Sequence, residues 1–223
     1  MSEQQKCKVV CLGDSITEGF GLGEYENYPY LLQCALGDGF FVFNAGVSAH
    51  CVTNEILPDG RIMGLPYVRT ERYAQGIAEK GDIYVIVLGT NDAQDGMLDD
   101  GSAIDPWGNI ISKCGNFIGH YERILNDIRL ANPKARICIG RPTPILNCIW
   151  PKHRQEYLDV ILEKIDEIGR RNPDVVLFDL YGAFREKGDE WMYRIYQEDR
   201  LHPGPAGAKL IAQIVYGVVM GMG

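Results

Sequence analysis

Five short apolar runs, rich in β-branched residues, punctuate the chain. They are KVVCL at 8–12, FFVFN at 40–44, IYVIVLG at 83–89, ARICIG at 135–140 and DVVLFDL at 174–180. The last three are nearly continuous in hydrophobicity, the pattern of strands buried on both faces. Elsewhere apolar residues recur three and four positions apart. Phe117, Tyr121, Ile124, Leu125 and Ile128 do so over 117–130; Tyr157, Leu158, Ile161, Leu162, Ile165 and Ile168 over 153–171. Leu210, Ile211, Ile214, Val215, Val218 and Val219 repeat the spacing near the C-terminus. Each pattern predicts a helix with one apolar face. Strands alternating with helices predict a parallel sheet covered on both sides, a three-layer α/β/α sandwich. The flavodoxin-like strand order 2-1-3-4-5 is expected for five such strands. No repeat, linker or low-complexity stretch divides the sequence, so residues 1–223 are read as one domain. Its one long interruption is the polar, Gly- and Asp-rich insertion at about 92–116, a length of loop usually tied to function.

In open parallel sheets, ligands bind beyond the carboxyl ends of the strands, where the topology reverses. Gly13-Asp14-Ser15 follows the first strand, Asn44-Ala45-Gly46-Val47-Ser48 the second, and Gly89-Thr90-Asn91-Asp92 the third. In the order 2-1-3, Ser15 leaves the middle strand, and neighbouring strands about 4.8 Å apart bring all three ends to one ligand. A serine becomes a useful nucleophile only when a base takes its proton. Glycine presents an unobstructed N–H, and an asparagine amide donates to an oxyanion without protonating it. A base with an orienting acid occurs in EDRLHPGP, where Asp199 precedes His202 by three residues. In a tight turn, that spacing sets a carboxylate against one imidazole nitrogen and leaves the other for a ligand. Blander readings coexist. Ser15-Ile16-Thr17-Glu18 fits a capping box, Asn91 suits a turn, and His202 could be a solvated loop histidine.

Taken together, these residues resemble the SGNH (GDSL-type) esterases and acylhydrolases. The blocks are Gly13-Asp14-Ser15 with Ile16-Thr17, Asn44-x-Gly46-x-Ser48, Gly89-x-Asn91-Asp92 and Asp199-x-x-His202-Pro203. The resemblance implies Ser15 as nucleophile, His202 as base and Asp199 as its partner. It also implies an oxyanion hole from the Ser15 and Gly46 N–H groups and the Asn91 side chain, with no metal or organic cofactor. The expected reaction is hydrolysis of a short acyl ester, acetyl by preference, on a carbohydrate. Lysophospholipase, thioesterase and acyltransferase chemistry would use the same residues. From another class, a flavodoxin-like binding module would hold an anion at helix N-termini. Asp14, His50 and Trp150 are candidates for contact with substrate, His50 because it follows the Gly46 turn and Trp150 because it sits in a loop beyond the fourth strand. His120 and His153, in and at the start of helical patterns, read as surface residues.

Composition narrows the substrate. The net charge is −8 and no basic cluster occurs, which argues against nucleic acid and anionic membranes. A neutral substrate fits. Seven cysteines, at 7, 11, 34, 51, 114, 138 and 148, are scattered and odd in number, favouring a reducing compartment over a disulfide framework. No signal-peptide pattern opens the chain, so a cytoplasmic location is expected. The aspartates at 92, 95, 99, 100 and 105 lack the spacing and closing Glu of an EF-hand. Gly19-Phe20-Gly21-Leu22-Gly23 lacks the dinucleotide spacing, and the G-x-S-x-G elbow of α/β-hydrolases is absent.

Overall fold

The computed structural model describes residues 6–54, 64–94, 115–150 and 153–221. Five parallel strands, β1 (Cys7–Gly13), β2 (Phe40–Gly46), β3 (Ile83–Val87), β4 (Arg136–Arg141) and β5 (Val175–Asp179), pair in the order β2-β1-β3-β4-β5. This is the three-layer arrangement that the hydrophobic pattern predicts, in the flavodoxin-like strand order expected of it. Side chains alternate between faces along each strand. Val10, Leu12, Tyr84, Ile86 and Leu88 point into one core, and Val9, Cys11, Val85 and Val87 into the other. Both sets are apolar, which is why β1 and β3 read as unbroken hydrophobic runs.

The first core is closed by α3 (Glu71–Ala78), α4 (Gly115–Ala131) and α5 (Gln155–Arg171). Six apolar side chains of α5, Tyr157, Leu158, Ile161, Leu162, Ile165 and Ile168, are buried, and each aliphatic one contributes about 1.5–3 kcal/mol by leaving water. The second core is closed by α2 (Tyr28–Leu36), α6 (Leu180–Arg185), α7 (Asp189–Ile195) and α8 (Pro205–Gly221). Helix α8 starts at Pro205, earlier than its apolar periodicity indicates, because proline suits a first helical turn and Ala206, Gly207 and Ala208 carry little hydrophobic signal. The short helices α2, α3, α6 and α7 were not legible from periodicity, since two turns give too few repeats. The insertion expected at 92–116 lies outside the described residues from position 95 to 114. Among the described residues, no helix is long and apolar enough to cross a membrane.

The register makes the ends of three strands level, with Gly13 opposite Gly46 on one side and Val87 on the other. A four-residue helix, α1 (Ser15–Glu18), begins immediately past Gly13. It packs so close to the strand ends that neither glycine has room for a side chain. A Cβ at Gly13 would lie 2.5 Å from Thr17 Cβ and 2.8 Å from the Val87 carbonyl oxygen. One at Gly46 would lie 2.6 Å from both Glu18 Cα and the Thr17 carbonyl carbon. Backbone contacts of this kind cannot be relieved by rotating a side chain.

Two buried carboxylates pin the loops at this end of the sheet. Asp14 is 0% exposed and caps α1, its Oδ1 accepting the Ile16 N–H at 3.0 Å. It is therefore the cap that sequence spacing gives to Ser15, and it is sealed from any substrate. Glu18 does not close a capping box; its carboxylate instead accepts the N–H and hydroxyl of Ser48. Asp92, also 0% exposed, accepts the Val52 N–H and both the N–H and hydroxyl of Thr53, at 2.7–2.9 Å. Burial pushes Asp14 up to about 7, with the Ile16 N–H opposing it, and pushes Asp92 up to about 6 against its three hydrogen bonds.

Two predictions follow from this packing. Gly46→Ala forces α1 away from the sheet and should destabilise the protein by about 1–3 kcal/mol or more, measured by chemical denaturation. The raised carboxylates fix the sign of a pH effect. Between about pH 4 and pH 7 the folded protein holds protons that an unfolded chain, with ordinary aspartates, has released. Stability should thus fall as pH rises through that window and level off above it. Asp14→Asn, which keeps a capping oxygen, should flatten the profile of Tm against pH.

Candidate active site

Ser15 is the first residue of α1, held at the carboxyl end of the central strand by the Asp14 cap and the Gly13 contact. The histidine that meets it lies 187 residues further on. That partner is His202, in the segment between α7 and α8. The segment folds back on itself: the Gln197 N–H donates to the His202 carbonyl at 2.8 Å, and Tyr196 bridges to Pro203. Arg200 takes a left-handed conformation with φ of 61°. Asp199 Oδ1 accepts the backbone N–H groups of Leu201 and His202, both at 3.0 Å. Its other oxygen lies 2.5 Å from His202 Nδ1, and His202 Nε2 lies 2.7 Å from Ser15 Oγ. All three residues are buried, at 6–8% exposure.

The chemistry of the donors settles where the protons are. Burial raises the Asp199 pKa, but the His202 N–H, the His202 ring and the Leu201 N–H outweigh it and leave it below its ordinary value. An ionised carboxylate only accepts. The neutral ring therefore carries its proton on Nδ1, and Nε2 is free to accept from the Ser15 hydroxyl. The Phe20 ring sits against the imidazole, centroids 4.7 Å apart, and shields this chain of hydrogen bonds on one side.

Opposite Ser15 stands Asn91, which follows β3 and is 6% exposed. Its Nδ2 donates to the His50 carbonyl at 3.0 Å. Ser15 and Asn91 line a cavity of about 180 Å³ together with Phe20, Ser48, Ala49, Trp150, His153, Leu201 and His202. The walls from Phe20, Trp150 and Leu201 are apolar, while Ser15, Asn91 and His202 converge on one region.

Four sequence-based assignments change here, those of Gly46, His50, Asp14 and His153. Gly46 does not open onto the cavity: its N–H is donated to Asn44 Oδ1 at 2.9 Å. Its lack of a side chain serves the approach of α1. Ala49, three residues on, does line the cavity; it adopts φ of 64°, and its N–H has no partner among the described residues. His50 turns its side chain back, Nδ1 lying 2.7 Å from the Ser48 carbonyl, and contributes to the site through its own carbonyl. Asp14 is buried beneath α1, away from the cavity. Trp150, by contrast, lines the cavity mouth, 45% exposed.

His153 is not a surface residue. It lines the cavity and its Nε2 lies 3.2 Å from Asn91 Oδ1. No local pattern marks it, because it is brought there by pairing between Gln94 and His153 across 59 positions of chain. Ala49 gave no signal either, since a left-handed turn is ordinarily flagged by glycine. His120 lies elsewhere, its Nδ1 accepting the Asn54 N–H at 3.1 Å. Among the described residues, no group of three or more His, Cys, Asp or Glu could hold a metal ion.

Residues 11–210 match the model of the GDSL-like lipase/acylhydrolase family. An acetylxylan esterase from Xylanibacter ruminicola is 28% identical over 97% of this chain, which spans only 44% of that protein's length. Among solved structures, a family two carbohydrate esterase from Clostridium thermocellum, in complex with cellohexaose, superposes with a TM-score of 0.68. It is 18% identical and covers 100% of this chain and 66% of its own. A carbohydrate acetylesterase family member from Sinorhizobium meliloti gives a TM-score of 0.68 at 18% identity, over 98% of this chain and 99% of its own. At these identities the structural matches establish a shared fold. With nine-tenths of its length matched by the family model, and Ser15, Asn91, Asp199 and His202 gathered at the carboxyl ends of the sheet, the chain belongs to the GDSL-like lipase/acylhydrolase family.

Proposed function

We propose that this protein is a serine esterase that removes short acyl groups, acetyl above all, from a carbohydrate. The observation that carries the reading is the buried line of hydrogen bonds from Ser15 Oγ through His202 to Asp199, opening on a small cavity. Ser15 Oγ attacks the ester carbonyl carbon while His202 Nε2 takes its proton. Asp199 holds the ring and balances the imidazolium that forms. The carbonyl oxygen becomes an oxyanion facing the Ser15 N–H, the Ala49 N–H and the Asn91 amide. Ala49 takes the place that the sequence pattern assigns to Gly46.

His202 then passes its proton to the departing sugar hydroxyl, leaving an acyl-Ser15 ester. A water molecule, deprotonated by His202, attacks that ester and releases the carboxylic acid. Hydrogen bonds aimed at the developing oxyanion account for much of the rate in such sites. The choice of acetyl is supported by the size of the cavity and by the apolar walls from Phe20, Trp150 and Leu201. The choice of a sugar is supported by the two half-exposed aromatic rings at its mouth, Phe20 and Trp150, whose faces suit the C–H surface of a pyranose. The name of the Xylanibacter ruminicola relative, an acetylxylan esterase, points the same way.

A fluorophosphonate probe should label Ser15, located by mass spectrometry, and His202→Ala should abolish the labelling. Labelling elsewhere, or none, removes the nucleophile from the reading. Asn91→Ala should lower kcat on an acetyl ester by about 10²–10³. On a series of esters of increasing acyl length, kcat/KM should fall about tenfold or more from acetyl to butyryl; a rise with length would point to a lipid substrate. Ala49→Gly relieves a left-handed alanine and should raise stability by about 1 kcal/mol, with turnover kept because the N–H is retained.

A further inference from the structure

The Asn91 amide is held from both ends, and the polarity of each contact can be read from the atoms involved. A backbone carbonyl accepts only, so the atom of Asn91 facing the His50 carbonyl is Nδ2. The atom facing His153 Nε2 at 3.2 Å is consequently Oδ1, which also accepts only. The hydrogen must come from His153, which makes its ring the Nε2–H tautomer. Nδ1 agrees: it is buried and has no hydrogen-bond partner among the described residues. A proton there would be stranded, whereas a bare nitrogen loses less by lacking a partner.

The backbone around His153 fixes this contact. The Arg154 N–H donates to the Ala93 carbonyl at 3.2 Å, and Gln94 and His153 pair as an antiparallel bridge. The segment leaving β3 and the segment entering α5 are thereby clipped together beside the cavity. Burial, reinforced by the nearby His202, lowers the His153 pKa to about 4. At neutral pH the ring is therefore uncharged and adds no second positive charge beside the imidazolium proposed for catalysis.

We infer that His153 is a positioning residue for the oxyanion site: by donating Nε2–H to Asn91 Oδ1 it fixes which way the amide faces and keeps one Nδ2 hydrogen for the reacting oxygen. With one Nδ2 hydrogen on the His50 carbonyl, the second is the only one left for substrate. A flipped amide would present Oδ1 to the oxyanion and repel it. His153 also draws electron density toward Oδ1, which makes the remaining N–H a stronger donor. Two-sided tethering of a donor that must point at a transient charge is what preorganisation requires.

This inference rests on the esterase reading, which the labelling of Ser15 tests separately. Its own test begins with the unaltered protein. Long-range ¹H–¹⁵N correlation spectra, with His153 assigned by comparison to His153→Gln, should show a proton on Nε2 and a bare Nδ1 at pH 7. A bare Nε2 overturns the inference, even if Ser15 labels as expected. Kinetics supply the second arm, with p-nitrophenyl acetate as substrate. His153→Leu should lower kcat by about 10–100-fold with KM changed less than about twofold. His153→Gln, whose amide can reach the same oxygen, should keep kcat within about threefold of the parent. In an Asn91→Ala background, His153→Leu should cost less than about a further twofold. Equal losses for the Leu and Gln variants, or the same loss with and without Asn91, would mean that His153 merely supports the fold.

Discussion

The site depends on one close approach, that of the α1 backbone to the ends of β1 and β2. Gly13 and Gly46 are bare because Thr17 and Glu18 occupy the space their side chains would fill. That contact fixes the first turn of α1, and the first residue of that turn is Ser15. A hydroxyl held on so short a helix has little freedom, and the 2.7 Å hydrogen bond to His202 is made without ordering a mobile loop. The His202 side is equally constrained. Asp199 takes two backbone N–H groups on one oxygen and the imidazole on the other, so the acid, the turn and the base form one unit. Preorganisation of this kind is what lets modest individual hydrogen bonds act together on a transition state.

Burying carboxylates is unfavourable, yet Asp14, Asp92 and Asp199 are all buried, and each is handled differently. Asp199 is hydrogen-bonded so fully that it stays ionised. Asp92 binds the loop carrying Val52 and Thr53, and so steadies the turn that presents Ala49 and the His50 carbonyl. Asp14 starts α1. The latter two are structural pegs whose burial favours their protonated forms, and neither reaches the cavity. His153 stands beside them as a half-buried imidazole whose pKa burial lowers to about 4, leaving it uncharged at neutral pH.

Much of this was legible in the amino-acid order. Strands β1, β3 and β4 announce themselves because residues buried on both faces must be apolar throughout; β5 reads the same way, yet it is an edge strand whose Val176 is exposed. Helices α4, α5 and α8 are legible because long helices repeat their apolar face several times. Ser15, Asn91, Asp199 and His202 were legible because each sits just past a strand or in a short Asp-x-x-His spacing whose chemistry is local. Gly46 was misread for a physical reason: glycine marks both an open N–H and a tight contact, and only the neighbour at that position distinguishes them. Asp14 and His50 were misread because burial and side-chain direction are not encoded by adjacency.

The sequence by itself determined the alternation of strand and helix, the parallel sheet, and the placing of Ser15 and Asn91 just past strands and of Asp199 three residues before His202. These follow from periodicity and from spacings of a few residues, where covalent geometry limits the outcomes. Tertiary structure alone decided that Ala49 rather than Gly46 faces the cavity, that Asp14 is sealed away, and that His153 reaches Asn91 across a long stretch of chain. Those contacts depend on which backbone atoms are left without room or without a partner once the sheet is packed, and no local pattern of residues records that.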